Sequence, residues 1–219
     1  RKISFSTPWL PQAQFAGYYA AQARGYYAEE GLEVEFTTPG DGVYPVESVL
    51  SGKADYGVTS ADLVKARVAG QPVVALAGVF QHSPIILMSR KDRGLAYLSD
   101  YAGKTVMSSP DDLPEIKAMF RKEGIDPERI TFVPHTWTVE ALVNGEVDAT
   151  VDYLADQPFQ LRQRGVEPRI IRPIDYGIDF YADTLFTTEE EIRRHPERAA
   201  AFRRASLRGW EYALEHVEE

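Results

Sequence analysis

Apolar and polar positions along the chain switch between two periods, and the switching predicts an α/β protein. Ile3, Ser4 and Phe5 read as a strand, and residues 14–24 read as a helix that Gly25 closes. After Gly31, the run Leu32-Glu33-Val34-Glu35-Phe36 has the two-residue period of a half-buried strand. Residues 46–50 predict a short helix, 55–58 a strand and 61–68 a helix. Residues 72–79 form a continuous apolar run rich in β-branched side chains, the pattern of a strand buried on both faces. Strands and helices alternating at this spacing imply crossover units around a parallel sheet. Further on, residues 169–171 read as a strand, 189–195 as a short helix, and Pro196 opens a long one. Proline suits a first helical turn, where its missing N–H removes no bond. Ala199, Phe202, Ala205, Leu207 and Trp210 give that last helix a broad apolar stripe, which assigns it a structural role.

The pattern repeats within the chain. KISFSTP (residues 2–8) is echoed by KTVMSSP (104–110), each followed by a helix and a glycine. In the second copy Glu123-Gly124-Ile125 leads to a strand at residues 130–133. VESVLSGKADYGV (46–58) matches VEALVNGEVDATV (139–151) at five positions, with the same order of helix, glycine stop, aspartate and strand. Generic α/β grammar could produce one such pair; two matched blocks in the same order predict two similar lobes. The expected boundaries put residues 1–86 with 184–219 in the first lobe and 87–183 in the second. Ligands of open parallel sheets gather at the carboxyl ends of the strands. The segments 59–62 and 152–155 are therefore expected to face each other across a cleft.

Composition changes this picture little. The 219 residues are 44% hydrophobic and 26% charged, ordinary for a globular chain. Thirty-three acidic residues against 24 basic ones leave a net charge of −9, which argues against a nucleic-acid partner or an anionic lipid surface. No apolar run approaches the roughly 20 residues that cross a bilayer. There is no cysteine, which excludes disulfides, thiolate metal sites and a cysteine nucleophile. The chain opens at Arg1 directly before a strand and ends at Glu219 in a segment that reads as helix, so a fragment trimmed at both ends is expected.

Enzymatic constellations are sparse. His82, His135, His195 and His216 show no helical metal-ligand spacing, with His195 and His216 in polar helix ends. There is no glycine-rich phosphate loop and no Gly-x-Ser-x-Gly elbow. Asp111 and Asp112 resemble a metal-friendly pair, but after Ser108-Ser109-Pro110 they more simply mark a helix start. What stands out is aromatic and polar residues in the loops after strands. Trp9 is either a lid over core or a stacking surface for a planar ligand. Gln12 and Gln14 could hydrogen-bond a heterocycle or cap the next helix. Of Tyr18 and Tyr19, one must face the core, leaving at most one ligand contact. Ser60 and Asp62 follow a strand, where Ser60 could equally cap a helix. Gln81, His82 and Ser83 end the apolar run and are cleft candidates, with a structural His82 as the alternative. His135 and Trp137 occupy the equivalent second-lobe loop, joined by Asp152, Tyr153 and Asp156. Tyr176, Asp179, Tyr181 and Asp183 could lie at an inter-lobe hinge, or on an ordinary surface loop.

WLPQAQFAGYYAA (residues 9–21) resembles bacterial solute-binding proteins for thiamine-pyrimidine precursors, whose pattern is Trp-x-Pro-Asn, a glycine, then Tyr-x-Ala on a helix. Trp9, Pro11, Gly17, Tyr19 and Ala21 fit, and Gln12 stands in place of the Asn. Phe15 stands where pyrimidine binders often carry His. Gly25-Tyr26-Tyr27, Glu30-Gly31-Leu32-Glu33-Val34 and residues 51–58 extend the resemblance through much of the chain. FQHSP (80–84), DYGIDFY (175–181) and WEYAL (210–214) resemble a subgroup often fused to sensor kinases or cyclic-dinucleotide signalling domains.

The resemblance implies a type II periplasmic-binding-protein fold closing on a small aromatic molecule, in a periplasmic or other extracytoplasmic location. Fungal pyrimidine synthases share that fold and use a Lys for pyridoxal phosphate, a nearby His and a cysteine-rich loop. The matching stretch here, residues 58–63, holds neither Lys nor His. A non-enzymatic receptor without cofactor or metal is therefore expected, handing its solute to an ABC-type membrane permease. The alternative is a sensor domain acting on a fused signalling module. The expected ligand contacts are Trp9, Gln14, Tyr18, Ser60, Asp62, Gln81, His82, Asp152, Tyr153, Tyr176, Asp179 and Tyr181. Trp9 would stack on the solute, with Tyr153 or Tyr181 on its other side.

Overall fold

The structure is a computed structural model that describes the chain except for Leu10, residues 38–43, Asp111, Trp137 and Glu219. The elements in order are β1 (Lys2–Ser6), α1 (Ala16–Ala23), α2 (Tyr26–Glu29), β2 (Glu33–Thr37), α3 (Pro45–Leu50), β3 (Tyr56–Thr59), α4 (Asp62–Val68) and β4 (Val73–Phe80). There follow β5 (Ile85–Arg90), β6 (Thr105–Ser108), α5 (Leu113–Lys122), β7 (Thr131–Pro134), α6 (Glu140–Asn144), β8 (Ala149–Tyr153), α7 (Gln157–Gln163) and β9 (Pro168–Ile171). The chain closes with β10 (Ala182–Thr188), α8 (Glu189–Arg194) and α9 (Pro196–Glu215). It divides into two compact units, Arg1–Val79 with Asp183–Glu219, and Phe80–Ala182.

Each unit is built on a five-stranded sheet. The strand order is β2-β1-β3-β10-β4 in the first and β7-β6-β8-β5-β9 in the second. The two orders correspond position by position. In both, the first three strands run parallel and the fourth is antiparallel to the third. The internal repeat of the sequence is thus a repeat of topology, and its shared residues have shared work. Asp55 accepts the Ser4 backbone N–H at 2.8 Å, and Asp148 accepts that of Thr105 at 2.9 Å. Each repeated aspartate ties the start of the third strand in its sheet, β3 or β8, to the second strand beside it, β1 or β6. Gly52 and Gly145, which end the matched helices, both have φ of +74°, a conformation open to glycine at little steric penalty.

Two expectations are corrected here, for the apolar run and for the last helix. The apolar run is β4, and it lies at the edge of its sheet with only Val73 fully buried. A β-branched run reads the same whether neighbours cover one edge or two. The mostly parallel sheets expected of crossover units are present, the first three strands of each running parallel, with β10 and β5 returning antiparallel to β3 and β8. The last helix stops at Glu215, before the end of the chain.

The core of the first unit gathers Phe5, Tyr18, Tyr27, Tyr56 and Phe202. Phe202 lies 5.3 Å from Phe5 and 5.4 Å from Tyr27 between ring centres, within the range of favourable aromatic pairs. α1 and α9 pack closely because glycines face the contact. A Cβ on Gly209 would fall 2.0 Å from the Gly17 carbonyl oxygen, and one on Gly17 would enter the Trp210 ring. Gly17, shared with the family pattern, is therefore a packing residue. The second unit packs Ile85, Leu87, Tyr101, Val106, Ile116 and Phe120. Tyr101 donates to Ser89 Oγ at 3.1 Å, and burial pushes its hydroxyl up to about 12.

Candidate functional site

The strand registers define one end of each sheet. In the first unit, β1 and β3 finish at Ser6 and Thr59, and Thr59 pairs with Thr184 at the start of β10. Ser60 and Asp183 therefore flank the carboxyl end of the sheet. Asp183 is buried and takes φ of +46°, the one positive φ outside glycine among the described residues. Its Oδ1 accepts from Gln14 Nε2 at 3.0 Å, while Gln14 Oε1 accepts from Gln12 Nε2 at 2.6 Å. A polar chain of Gln12, Gln14 and Asp183 results.

Trp9 is half-buried, packed in part against the core of the first unit, and its carbonyl accepts from Thr7 Oγ1 at 3.1 Å. Ser60 does not cap α4: its buried hydroxyl has no hydrogen-bond partner among the described residues. Asp62 sits in the first turn of α4 and pairs with Lys65 at 2.5 Å. Tyr18, expected as a ligand contact, lies inside the core of the first unit. It is fully buried, its ring 4.7 Å from Phe5 and 5.7 Å from Trp210. Burial pushes its hydroxyl well above the usual tyrosine range, and the Asp183 charge adds to the effect. Tyr19, one helical step round, is half-buried and stacks on Phe36 at 4.9 Å.

In the second unit β6 and β8 finish at Ser108 and Tyr153, and the register Ile85↔Tyr153 brings the segment before β5 to the same end. Gln81 and His82 are exposed there, and His82 Nδ1 lies 2.7 Å from Asp179 Oδ2. Tyr181 is 61% exposed. Tyr153 and Tyr176 are half-buried against the core of this unit. Asp152 is internal: it lies 3.0 Å from His135 Nε2 and also accepts from Thr150 Oγ1, with the His135 and Asp152 side chains 3% and 2% exposed. His135 and Asp152 thus hold β8 to the loop after β7. Asp156 accepts from Gln160. Trp137 and Asp111 lie outside the described residues.

One residue at this end was missed by the sequence reading. Glu115, in the first turn of α5, is 2% exposed, and its Oε2 accepts from Ser83 Oγ at 2.8 Å. Removal from water pushes its carboxyl up to about 7, and the charges of Asp112 and Asp179 act in the same direction. Nothing in SSPDDLPE marks this glutamate as internal, because what covers it is folded onto it from 32 positions earlier.

Among the described residues no group of three or more His, Cys, Asp or Glu could hold a metal ion. No described helix is long and apolar enough to cross a membrane.

Comparison with known proteins places these features. The chain is 30% identical over 96% of its length to a formylaminopyrimidine-binding protein of Halalkalibacterium halodurans, and 28% identical over its full length to the riboflavin-binding protein RibY of Chloroflexus aurantiacus. It spans 66% and 64% of those two proteins. A 4-amino-5-hydroxymethyl-2-methylpyrimidine phosphate synthase of Schizosaccharomyces pombe is 26% identical over 93% of the chain. Among solved structures, the alkanesulfonate-binding protein SsuA of Xanthomonas axonopodis pv. citri superposes with a TM-score of 0.75 at 14% identity, covering 99% of this chain and 75% of that one. The fold is therefore that of the type II periplasmic binding proteins. The description "NMT1/THI5 like" matches residues 12–219, and the chain belongs to that family.

Proposed function

We propose that the chain reversibly binds a small planar heteroaromatic solute and acts as the extracytoplasmic receptor of an ABC-type uptake system. The observation that carries this reading is its relationship, along nearly the whole chain, to a formylaminopyrimidine-binding protein. The riboflavin-binding relative supports the broader class, since both named ligands are flat nitrogen heterocycles. On the first unit, Trp9 offers the stacking surface, and Gln14, Ser60 and Asp62 offer hydrogen bonds. On the second, the groups offered are Gln81, His82 and Asp179, with Tyr153, Tyr176 and Tyr181 as aromatic surface. Asp152 acts behind them by fixing His135.

Non-enzymatic binding is favoured over the synthase chemistry of the fission-yeast relative because residues 58–63 carry neither Lys nor His and the chain has no cysteine. A second reading, a ligand-sensing domain of a membrane sensor kinase or cyclic-dinucleotide signalling protein, is favoured by the motifs at residues 80–84, 175–181 and 210–214. Reading the coding sequence beyond Glu219 separates the two roles. A prompt stop supports the receptor; membrane spans followed by a signalling module support the sensor. Binding itself is tested by calorimetry with formylaminopyrimidine, hydroxymethylpyrimidine and riboflavin. Saturable one-to-one binding of at least one is expected, and heat from none of them overturns the reading.

A further inference from the structure

Glu115 has a hydrogen-bonding capacity that the protein leaves unused. Its Oε2 is held by Ser83, yet Oε1 is buried and has no partner among the described residues. Folded proteins satisfy nearly all such groups, because an unmatched buried acceptor is costly. Asp112 precedes α5, where its carboxylate accepts from Ser109 Oγ at 2.7 Å. Asp179 holds His82, and burial, with a smaller contribution from the charges of Asp112 and Asp179, resists ionisation of Glu115. Asp112 stands one turn before Glu115 on the chain, and Asp179 is held by His82 beside Ser83, so both add negative charge around Glu115 without converging on it, and no Lys or Arg ion pair with Glu115 occurs among the described residues. Such a place favours an incoming positive charge and disfavours an anion.

We infer that Glu115, with Asp112 and Asp179, forms a subsite for a cationic hydrogen-bond donor of the solute: a protonated amine or the amidinium-like edge of a protonated aminoheterocycle. The inference rests on the reading of the chain as a solute receptor and adds which solutes it selects. A protonated amino or ring N–H donates to Oε1, and its charge replaces the proton that burial otherwise keeps on the carboxyl. Ser83 holds Oε2, so the acceptor is presented in a fixed orientation.

The test compares two flat rings of the same shape, 4-aminopyridine, a cation at neutral pH, and aniline, which is neutral. Both are titrated by calorimetry into the wild-type chain and into Glu115→Gln, which keeps the size and the bond to Ser83. Thermal unfolding of both proteins checks that each is folded. The wild type is expected to prefer 4-aminopyridine by about tenfold or more, and E115Q is expected to lose most of that preference. Equal affinity for the two rings in the wild type overturns the subsite and leaves the receptor reading intact. So does a preference that survives in E115Q. Binding of neither ring overturns the subsite as well; whether the receptor reading then falls is decided by the formylaminopyrimidine and riboflavin titrations.

Discussion

The carboxylate of Asp55 accepts both the backbone N–H of Ser4 at 2.8 Å and its hydroxyl at 3.0 Å. In the second unit Asp148 receives the Thr105 N–H in the same way. Hydrogen bonds to a charged acceptor contribute more than neutral ones, and these two fix where β3 meets β1 and where β8 meets β6. Asp55→Ala and Asp148→Ala are each expected to cost about 1–3 kcal/mol. Hydrogen exchange checks the assignment: D55A should speed exchange at Ser4 more than at Thr105, and D148A should do the reverse.

Helices α1 and α9 meet over bare backbone. A methyl at Gly209 would collide with the Gly17 carbonyl, which is main chain and cannot swing aside. Gly209→Ala is expected to force the helices apart at a cost of about 1–3 kcal/mol or more, lowering the unfolding midpoint in urea. An unchanged midpoint would mean that the two helices do not approach this closely in solution.

Glu115 gives stability a pH dependence whose sign is fixed by its position. Its folded value, about 7, lies above the ordinary 4.5, so between these values the folded chain holds more proton than the unfolded one. Stability from this group is intact below about pH 4.5 and is lost as pH rises through about 7, by on the order of 3 kcal/mol. E115Q lacks the titration. Relative to wild type it should gain stability on going from pH 5 to pH 8, in thermal or urea unfolding. A constant difference between the two proteins would show that the carboxyl is solvated.

Trp9 anchors part of its surface on the core of the first unit and is proposed to stack on the solute with the rest. Aromatic stacking adds about 0.5–1.5 kcal/mol beyond the area it covers. Trp9→Ala should therefore weaken binding about tenfold or more, and Trp9→Phe should restore part of it. Equal affinity of W9A and wild type in calorimetry would remove Trp9 from the site.

Much of the fold is legible in the order of residues, because its units are local. The VES…GV and VEA…TV blocks each encode a helix, a left-handed glycine and a clamping aspartate, and the structure uses Gly52 with Gly145 and Asp55 with Asp148 alike. What escapes the sequence is decided at long range. β10 joins the first sheet after the whole second unit has intervened, so the residues before it, 176–181, read only as a loop. β4 looks internal because its side chains are apolar, but only the sheet order shows that it has a neighbour on one side. The candidate residues follow the same rule. Loops after strands identify where polar groups such as Gln14 and His82 collect, whereas Tyr18 and Tyr19 differ only by the turn of one helix. Glu115 is hidden by Ser83 and would need that contact to be foreseen.

The claim that matters most is capture of a flat heterocycle without turnover, and native mass spectrometry reads it directly. The intact chain is incubated with formylaminopyrimidine, hydroxymethylpyrimidine and riboflavin, and bound and released species are weighed. A one-to-one complex with at least one of them is expected, dissociating to give the compound back at unaltered mass. The ligand-free mass alone at saturating concentrations, or a released compound of changed mass, would contradict the account.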